Sequence, residues 1–362
     1  MRIALVHYWL VGMRGGEKVI ESLCQLYPNA DIYTHVYDPF AISKTISRHN
    51  VHTTFISKLP FSKKYYQNYL PLMPLALEQL DLRGYDLVIS SESGPAKGII
   101  VDPDSTHICY CHSPMRYVWD MYPQYLNSSG FLKRLLMVPL IHYLKIWDRC
   151  SADRVDYFIS NSAFVAKRIN KYYRRDSTVI NPPVSVTDFY ITEDDKLEDF
   201  YLIVGQLVEY KKALLAVEAF NISGKKLIVI GEGEQFDSIQ KIAKSNITIL
   251  GRQSYESIKK HYSMCKALVF PGVEDFGIVP VEAMASGRPV IAYRKGGALE
   301  TVVDGVTGMF FDEQSVMSLN NAVNNFEKNI NTFLPYKIRE HAEKFNREIF
   351  KDKINKIVED IL

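Results

Sequence analysis

Cysteine is sparse in this sequence, and long apolar runs are absent. The five cysteines are scattered along 362 residues without a C-x-x-C pair, which argues against a disulfide framework and a zinc ribbon. No stretch approaches the roughly 18 consecutive apolar residues of a membrane-spanning helix. The first ten residues contain a short apolar stretch but no small-residue cleavage site, so an export signal is not indicated. We therefore expect a protein of the reducing cytoplasm.

The composition is that of a globular chain. Hydrophobic residues make up 47% and charged residues 23%, which excludes disorder as the main state. Because single hydrophobic cores stop growing near about 250–300 residues, this length suggests two or three domains, and we start from two. The net charge is +2, but residues 1–183 contain 21 Lys and Arg against 15 Asp and Glu, whereas the remainder contains 22 against 26. The basic first half suggests an anionic partner, such as a membrane surface or a phosphorylated acceptor.

Short β-rich runs alternate with helix-length segments, a pattern typical of parallel sheets covered by helices. The strands predicted in the first half are residues 3–10, 31–37, 51–56, 87–90, 107–111, 157–160 and 178–180. Those predicted in the second half are residues 201–204, 226–230, 247–250, 267–270, 289–293 and 309–311. Pro182-Pro183 and the acidic residues 193–199 interrupt the pattern. We therefore predict an α/β chain in four parts: a Rossmann-like domain (1–183), a linker (184–199), a second Rossmann-like domain (200–335) and amphipathic helices (336–362).

The most informative segment is residues 269–290 (Val-Phe-Pro-Gly-Val-Glu-Asp-Phe-Gly-Ile-Val-Pro-Val-Glu-Ala-Met-Ala-Ser-Gly-Arg-Pro-Val). It predicts a buried strand, a loop with Glu274 and Gly277, and a helix from about Pro280. Unpaired amides at a helix start bind anions, and glycine lets backbone approach a ligand. Glu282, in the predicted first turn, is placed to accept hydrogen bonds from a diol such as ribose. Taken alone, such a pair is more often a solvated loop carboxylate and a helix-dipole partner.

The segment resembles the E-x7-E motif of family 4 retaining glycosyltransferases, which have the GT-B fold. The likeness extends to the Phe-Gly after the first Glu, the helical Glu-Ala-Met-Ala and the Gly-x-Pro-Val-Ile-Ala that follows. The resemblance implies that Glu282 contacts the nucleotide ribose and that Glu274 lies against the donor sugar. It implies donor binding by the adjoining residues Asp275, Phe276, Gly277 and Ile278. It also implies two Rossmann-like domains facing across a cleft, with the C-terminal helices packing back on the N-terminal domain.

Residues 204–212 (Val-Gly-Gln-Leu-Val-Glu-Tyr-Lys-Lys) resemble the family's Gly-Arg-Leu-x-x-x-Lys diphosphate loop. The resemblance makes Lys211 the cation that neutralises charge on the departing nucleoside diphosphate. A solvated surface lysine is the alternative for any single Lys. Gln206 replaces the usual Arg, which leaves one fewer positive charge beside the diphosphate unless Lys212 or another basic residue compensates.

Two further features of the second half are weaker evidence for a nucleotide site. Gly231-Glu232-Gly233 follows a predicted strand, and in the resembling family this turn lies near the nucleotide; it lacks the third glycine of a dinucleotide fingerprint and so argues poorly for NAD. Arg252 follows another strand and is expected to border the base, with a surface ion pair as the alternative.

In the first half, Gly15 and Gly16 follow the first strand and precede a helix, where backbone amides can face a diphosphate or sugar. An ordinary strand-to-helix turn is the alternative. His112 ends a predicted strand and is followed by Ser-Pro-Met-Arg. The resemblance places His112 against the donor sugar or acceptor, where a neutral imidazole can help to handle the acceptor proton. Cys109-x-Cys111-His112 does not indicate a metal, because no partner pair appears.

One motif points to different chemistry. The apolar run that ends at Asp102-Pro103-Asp104 resembles the Asp-x-Asp of metal-dependent GT-A glycosyltransferases. A turn is the simpler interpretation, because Pro103 and loop aspartates favour it. We expect no metal ion and no cofactor, with a nucleotide sugar as co-substrate.

Two stretches of the basic half suggest membrane contact. Residues 58–70 interleave cations with aromatics, and residues 131–141 mix basic and apolar residues. Such segments can lie in a membrane interface with their cations on anionic headgroups. They can equally be core-packing elements with solvated Lys and Arg, and the sequence leaves both interpretations open.

The family resemblance covers nearly the whole chain. Within the family, the chain particularly resembles bacterial polysaccharide and O-antigen mannosyltransferases. It implies metal-independent, retaining transfer of a sugar, with GDP-mannose favoured, to a polyprenyl-diphosphate-linked or other glycan acceptor. We expect no nucleic-acid partner and a cytoplasmic location, with peripheral contact at the inner face of the cell membrane. A GT-B-fold nucleotide-sugar epimerase and a non-catalytic partner subunit remain alternatives.

Overall fold

The structure is a computed structural model that describes residues 1–127, 130–193 and 196–362. The chain divides into two compact units. The first comprises Met1–Asn181 and Lys351–Leu362, and the second comprises Pro182–Phe350. Two residues of the predicted acidic linker, Asp194 and Asp195, lie outside the described residues.

The first unit contains a parallel sheet with helices around it. Among the described residues the sheet has seven strands in the order β3-β2-β1-β4-β5-β6-β7. The strands are β1 (Ile3–His7), β2 (Asp31–Thr34), β3 (Val51–Thr53), β4 (Leu87–Glu92), β5 (Thr106–Cys111), β6 (Tyr157–Ser160) and β7 (Thr178–Val179). The helices are α1 (Gly15–Leu26), α2 (Lys44–Ser47), α3 (Ser62–Tyr65), α4 (Met73–Glu78), α5 (Tyr122–Asn127), α6 (Phe131–Ala152) and α7 (Ala163–Tyr173).

The second unit repeats this architecture with a six-stranded parallel sheet, counted over the residues described, in the order β10-β9-β8-β11-β12-β13. Its strands are β8 (Tyr201–Val204), β9 (Leu227–Ile230), β10 (Ile247–Gly251), β11 (Ala267–Phe270), β12 (Val290–Tyr293) and β13 (Gly308–Phe311). Its helices are α8 (Ala213–Ser223), α9 (Phe236–Ile242), α10 (Tyr255–Met264), α11 (Ile278–Ala285), α12 (Ala298–Thr301), α13 (Val316–Lys328) and α14 (Pro335–Glu343). The last helix, α15 (Arg347–Ile361), begins in this unit and ends in the first.

The strands form because their sequences are short apolar runs. β8 and β9 read Tyr-Leu-Ile-Val and Leu-Ile-Val-Ile, and such continuous hydrophobic runs suit strands that helices cover on both faces. Several helices begin at a serine whose side chain accepts a backbone N–H: Ser162 at α7, Ser254 at α10 and Ser315 at α13. These caps satisfy one of the amides that every helix start leaves unpaired.

The thirteen strands predicted from the sequence are all confirmed, but each of the first three ends three residues earlier than expected. β1 ends at His7, although the apolar run continues to Leu10. Beyond His7 the chain turns toward β2 alone: the amide of Leu10 donates to the carbonyl of Val36 at 2.8 Å, and Leu10 forms an isolated bridge with Tyr37. The polar side chain of His7 therefore stands at the carboxyl edge of the sheet.

The prediction that the C-terminal helices pack back on the N-terminal domain is confirmed in part. α14 belongs to the second unit, where its Arg339 donates to the carbonyls of Ala285 at 2.6 Å and Phe189 at 2.8 Å. The unpaired carbonyl of Ala285 at the end of α11 explains this preference, because the guanidinium satisfies it. Only residues Lys351–Leu362 of α15 group with the first unit.

A buried ionic network joins the sheet of the first unit to its long helix. Lys97 is fully buried and contacts Asp148 of α6, with Glu92 of β4 at 3.4 Å from its ammonium. Tyr173 and Trp119 donate to the other carboxylate oxygen of Asp148 at 2.8 and 2.7 Å. Burial raises the pKa of Glu92 to about 7. Removing any charged member would leave a buried charge without compensation.

Candidate active site

The second unit brings two predicted catalytic residues together. Lys211 ends a 3₁₀ turn (Glu209–Lys211) after β8, and Glu274 lies in the loop after β11. β8 and β11 are neighbours in the sheet, so the two loops leave the same edge. The ammonium of Lys211 lies 2.9 Å from Oε1 of Glu274, and the two side chains are 19% and 21% exposed. They line one pocket together with Gly205, Gln206 and Gly272.

Glycines allow this pair to sit so close to the sheet edge. A Cβ added to Gly272 would lie 2.7 Å from the Cα of Lys211, and one added to Gly205 would lie 3.2 Å from its Nζ. Any larger residue at Gly272 would push the backbone of Lys211 away, because real Cβ atoms do not approach other carbons this closely. The position of the ammonium therefore depends on two small residues from different loops.

Gly231 and Gly233 lie against protein backbone in this structure. A Cβ on Gly231 would lie 1.8 Å from the carbonyl oxygen of Gly205, and one on Gly233 would lie 2.5 Å from that of Leu207. The amide of Gly231 donates to Gly251 at 2.9 Å. These glycines let the β9 loop pack against the diphosphate-like loop, which supplies a structural reason for both. Their predicted contact with a donor stays a prediction.

Helix α11 begins two residues earlier than the sequence predicts. Its first residue is Ile278, and Gly277 caps it with φ +96°, a left-handed conformation that favours glycine. Pro280 is therefore the third helical residue, where its missing N–H still costs no hydrogen bond. Glu282 is the fifth residue and lies in the second turn, so the prediction of a first-turn position was wrong.

The carboxylate of Glu282 is oriented by a tyrosine. Tyr262 of α10 donates to Oε2 of Glu282 at 3.0 Å. Burial, reinforced by the Glu282 charge, holds the pKa of Tyr262 well above its ordinary value, so the phenol remains a donor. The sequence analysis did not predict this contact, which depends on how two helices are rotated against each other.

The other predicted donor-binding residues of this unit have different exposures. Phe276 is buried and its ring packs against Phe345 at 5.5 Å, so its side chain belongs to the core. Arg252 is exposed just after β10, Gln206 is exposed, and Asp275 and Ile278 are half-buried. The backbone of Glu274 is held by the β12–α12 loop, because Gly297 donates to its carbonyl at 2.9 Å.

The first unit places His112 beside the predicted glycine turn. α1 begins at Gly15, and a Cβ on Gly16 would lie 3.6 Å from Nε2 of His112. The same Nε2 forms a 2.9 Å hydrogen bond with the hydroxyl of Ser91. Burial, with a smaller contribution from His7, lowers the pKa of His112 to about 3. The imidazole is therefore neutral throughout the physiological pH range.

Three neighbours of His112 were not singled out by the sequence analysis: His7, Glu17 and Ser91. His7 Nδ1 donates to the carbonyl of Ser91 at 2.9 Å, and its Nε2 lies 3.9 Å from Oε1 of Glu17, with both side chains buried. The other oxygen of Glu17 accepts from the amide of Arg14 at 3.0 Å, which fixes the start of α1. A signal was present: His7 ends β1 and His112 follows β5, and carboxyl ends of parallel strands share an edge.

Two family descriptions match this chain almost end to end. "Glycosyltransferase Family 4" matches residues 13–188, and "Glycosyl transferases group 1" matches residues 188–360. The chain belongs to the family 4 glycosyltransferases. Its two parallel-sheet units are the Rossmann-like domains of the GT-B fold, as the sequence predicted.

Several curated relatives of this glycosyltransferase are named as mannosyltransferases. The alpha-1,3/1,6-mannosyltransferase ALG2 of Dictyostelium discoideum is 26% identical, with 61% of each chain aligned. The O-antigen chain mannosyltransferase RfbU of Salmonella typhimurium is 28% identical over 58% of this chain and 60% of its own. A GDP-mannose-dependent phosphatidylinositol monomannoside mannosyltransferase of Mycobacterium tuberculosis is 31% identical over 28% of this chain and 30% of its own. The chain thus spans about three-fifths of the first two relatives.

Solved structures share the fold along the full chain. Sucrose-phosphate synthase of Thermosynechococcus elongatus superimposes with a TM-score of 0.75 at 18% identity, covering 100% of this chain and 99% of that one. HepE of Anabaena, solved in complex with UDP-glucose, gives a TM-score of 0.71 at 16% identity over 99% and 100% of the two chains. At such identities the likeness shows the architecture alone.

The Asp-x-Asp motif of this glycosyltransferase lies in a turn before β5. Oδ2 of Asp102 accepts from the amide of Gly84 at 3.0 Å, which ties two loops together. Within the described ranges, no group of three or more His, Cys, Asp and Glu side chains is arranged to hold a metal ion. The turn interpretation accounts for Asp102 without a ligand.

The two stretches singled out for membrane contact are exposed in part. Phe61 is 76% exposed beside Lys63 and Lys64, and on α6 Leu136 is 74% exposed. The side chains of residues 131–133 lie outside the described part of the structure. Over the rest of the described chain, no helix has both the length and the hydrophobicity needed to cross a bilayer. Contact with a membrane surface stays a prediction.

Proposed function

We propose that this family 4 glycosyltransferase moves a sugar, with mannose from GDP-mannose favoured, to a hydroxyl of a lipid-linked or oligosaccharide acceptor in cell-surface polysaccharide synthesis. Transfer retains the anomeric configuration and requires no metal ion. The observation that carries this proposal is the 2.9 Å contact between Lys211 and Glu274 in a pocket at the carboxyl edge of the second sheet. That edge is where parallel sheets bind their ligands.

Lys211 supplies the positive charge for the leaving group. Its ammonium lines a pocket that the carboxylate of Glu274 also lines. A diphosphate bound there would contact this cation. A positioned cation in a largely buried site stabilises developing charge more strongly than one in water, because the local dielectric is lower. Gln206 adds a hydrogen-bond donor to the pocket but no charge. The loop between Glu274 and α11 provides further amide donors at the helix start.

His112 serves the sugar or the acceptor. A neutral imidazole held by Ser91 has a fixed orientation and can exchange a proton with a hydroxyl, whereas an imidazolium could not accept one. Gly15 and Gly16 are the first two residues of α1 and not a turn before it, so His112 lies next to backbone amides of a helix start. His112 and the helix start at Gly15 and Gly16 together form one candidate subsite of the first unit.

The names of the relatives support the finer choices. ALG2 and RfbU are mannosyltransferases, and the mycobacterial relative uses GDP-mannose and a phosphatidylinositol mannoside. HepE, by contrast, was solved with UDP-glucose. We therefore favour mannose over glucose and GDP over UDP, and we favour a lipid-bearing acceptor such as a polyprenyl-diphosphate-linked glycan.

The first experiment measures donor binding. The purified protein is heated with GDP, UDP, ADP and their sugar conjugates, because a ligand that binds the folded state raises the melting temperature. The largest shift is expected with GDP-mannose. Glu282→Gln should weaken this shift, whereas Glu256→Gln, at an 80% exposed carboxylate in the same unit, is its matched control. Equal shifts in both variants would remove Glu282 from the donor site.

The second experiment measures transfer. Lys211→Gln should lower kcat by about 10²–10³, the range seen when one leaving-group or oxyanion stabiliser is removed. Lys241→Gln, at an exposed lysine of α9, should retain wild-type kinetics. NMR of the product reports the anomeric configuration. A changed sugar after incubation with donor alone would indicate an epimerase, and no transfer with any donor would favour a partner subunit.

A further inference from the structure

A second cavity opens within the first unit, apart from the residues assigned above. Its volume is about 420 Å³, within the roughly 300–1,000 Å³ typical of small-molecule pockets. Most of its lining is apolar, and Gln67, Asn68 and Tyr117 contribute the polar groups. A cavity of this size and character suits a hydrocarbon chain better than a sugar, which needs several convergent hydrogen bonds.

Two elements build its walls. One is the 3₁₀ segment Tyr66–Leu72, which contributes Leu70 and Pro71; the other is the inner face of α6, which contributes Leu140 and Leu144. These elements overlap the two stretches that the sequence singled out for membrane contact, residues 58–70 and 131–141. The structure shows that they face each other across one cavity.

The cavity adjoins the candidate subsite of the first unit. Trp9 lines it and packs edge-on against Tyr8, with ring centroids 4.4 Å apart. The hydroxyl of Tyr8 in turn lies 2.7 Å from the point where a Cβ on Gly16 would stand, beside His112. Trp9 and Tyr8 therefore connect the wall of the cavity to the residues around the imidazole.

The sequence between Asp120 and Asp148, which includes the α6 wall of the cavity, favours an anionic ligand. Residues 121–147 contain Lys133, Arg134 and Lys145 but no Asp or Glu. An acid-free, basic and apolar segment attracts molecules that combine a negative group with a hydrocarbon chain. Such molecules include phosphate-bearing lipids.

We propose that this cavity holds the hydrocarbon chain of a phosphate-bearing lipid acceptor, with the acceptor hydroxyl directed toward His112. The inference rests on the proposed function and adds a site for the acceptor's chain. Contact with a membrane through the outer face of α6 is a separate matter, because that face points away from the cavity-lining side chains. The two surfaces are separable by mutation of the same helix.

The test uses n-dodecyl phosphate, below its micelle concentration, as the probe in isothermal titration calorimetry. The wild-type protein should bind it at least about 100-fold more tightly than inorganic phosphate, because the chain supplies most of the binding energy. Leu140→Gln should weaken binding about tenfold. Leu135→Gln is its matched control, because Leu135 is five positions before Leu140 on the same helix, which turns it away from the cavity, and it is 63% exposed. It should bind like the wild type.

Gln67→Trp provides a second variant at an exposed rim position, where folding is not at risk. It should also weaken probe binding by obstructing the cavity. Wild-type affinity in both Leu140→Gln and Gln67→Trp would overturn the inference. Inorganic phosphate binding as tightly as the probe would do the same.

Sedimentation with vesicles that contain phosphatidylglycerol tests whether the hydrocarbon chain in the cavity belongs to an acceptor or to a bulk membrane lipid. Leu140→Gln should sediment to the same extent as the wild type, because the cavity is reserved for the acceptor. A loss of sedimentation in parallel with the loss of probe binding would place a bulk membrane lipid in the cavity and overturn the assignment. Nucleotide-induced melting shifts should be unchanged in Leu140→Gln, so failure here is distinguishable from failure of the proposed function.

Discussion

Replacing His35 should make the protein less sensitive to acid. His35 follows β2 and is completely buried. Its Nδ1 forms a 3.0 Å hydrogen bond with the hydroxyl of Thr54, and its Nε2 has no hydrogen-bond partner within the described residues. Burial lowers the pKa of His35 to about 3. A protonated imidazole would place a charge in a fully buried site, where the loss of hydration makes it costly.

The magnitude follows from linkage. In the unfolded chain a histidine has a pKa of about 6.5. Between pH 7.5 and 5 the unfolded state therefore binds a proton at His35 that the folded state does not bind. Because the folded pKa is depressed, the stability is present above pH 6.5 and is lost progressively as the pH falls toward 3. From pH 6.5 to pH 5 is about 1.5 pH units, so the free energy of unfolding falls by about 2 kcal/mol through this one residue.

The assay is urea unfolding of wild type and His35→Asn at pH 7.5 and pH 5. Asparagine keeps a polar atom near Thr54 but does not titrate, so the variant should lose about 2 kcal/mol less than the wild type over the same interval. The difference matters more than either value, because Glu92 titrates in the opposite sense: its raised pKa makes acid favour the folded state.

The matched control is His142→Asn, at an exposed histidine of α6. It removes an imidazole without removing a buried one, so its stability should follow the wild-type pH profile. A His35→Asn protein that loses as much stability as the wild type between pH 7.5 and 5 would refute the reasoning, since it would show that folded His35 is protonated in acid.

Two further predictions concern charge. Lys97→Met should lower the free energy of unfolding by about 3–5 kcal/mol, because it leaves Asp148 and Glu92 buried without their cation; Lys225→Met, at a partly exposed ion pair, should cost under about 1 kcal/mol. Similar losses in the two proteins would contradict this. Transfer should persist in EDTA because Lys211 supplies the cation for the leaving group, and activity that disappears and returns with Mg²⁺ would show otherwise.

Most strands were predictable because they are short apolar runs, but their ends were not. The apolar run that begins at Ile3 continues to Leu10, whereas hydrogen bonding to both neighbours stops at His7. The start of α11 was misplaced for a similar reason. A proline is allowed anywhere in the first turn, so Pro280 marked the region of the helix start but not its first residue.

The candidate site was predictable to the level of the sheet edge. Lys211 and Glu274 are 63 residues apart, and the rule that loops leave parallel strands at one edge was enough to place them near each other. The rule says nothing about side-chain rotation, which decides that Tyr262 reaches Glu282. Nor does it say whether a glycine accommodates a ligand or a neighbouring loop, as Gly231 does for the backbone of Gly205.

The charge asymmetry of the chain needs a similar correction. Several cations of the basic half have internal partners: Lys97 is buried with two carboxylates, and Arg168 contacts Asp120 and Ser113 at 2.6 Å each. Arg175 donates to two backbone carbonyls. Net charge counted along a sequence does not separate these residues from cations that face solvent. The argument for an anionic ligand therefore rests on the local absence of acidic residues from 121 to 147, beside an apolar cavity, and not on the total of the first half.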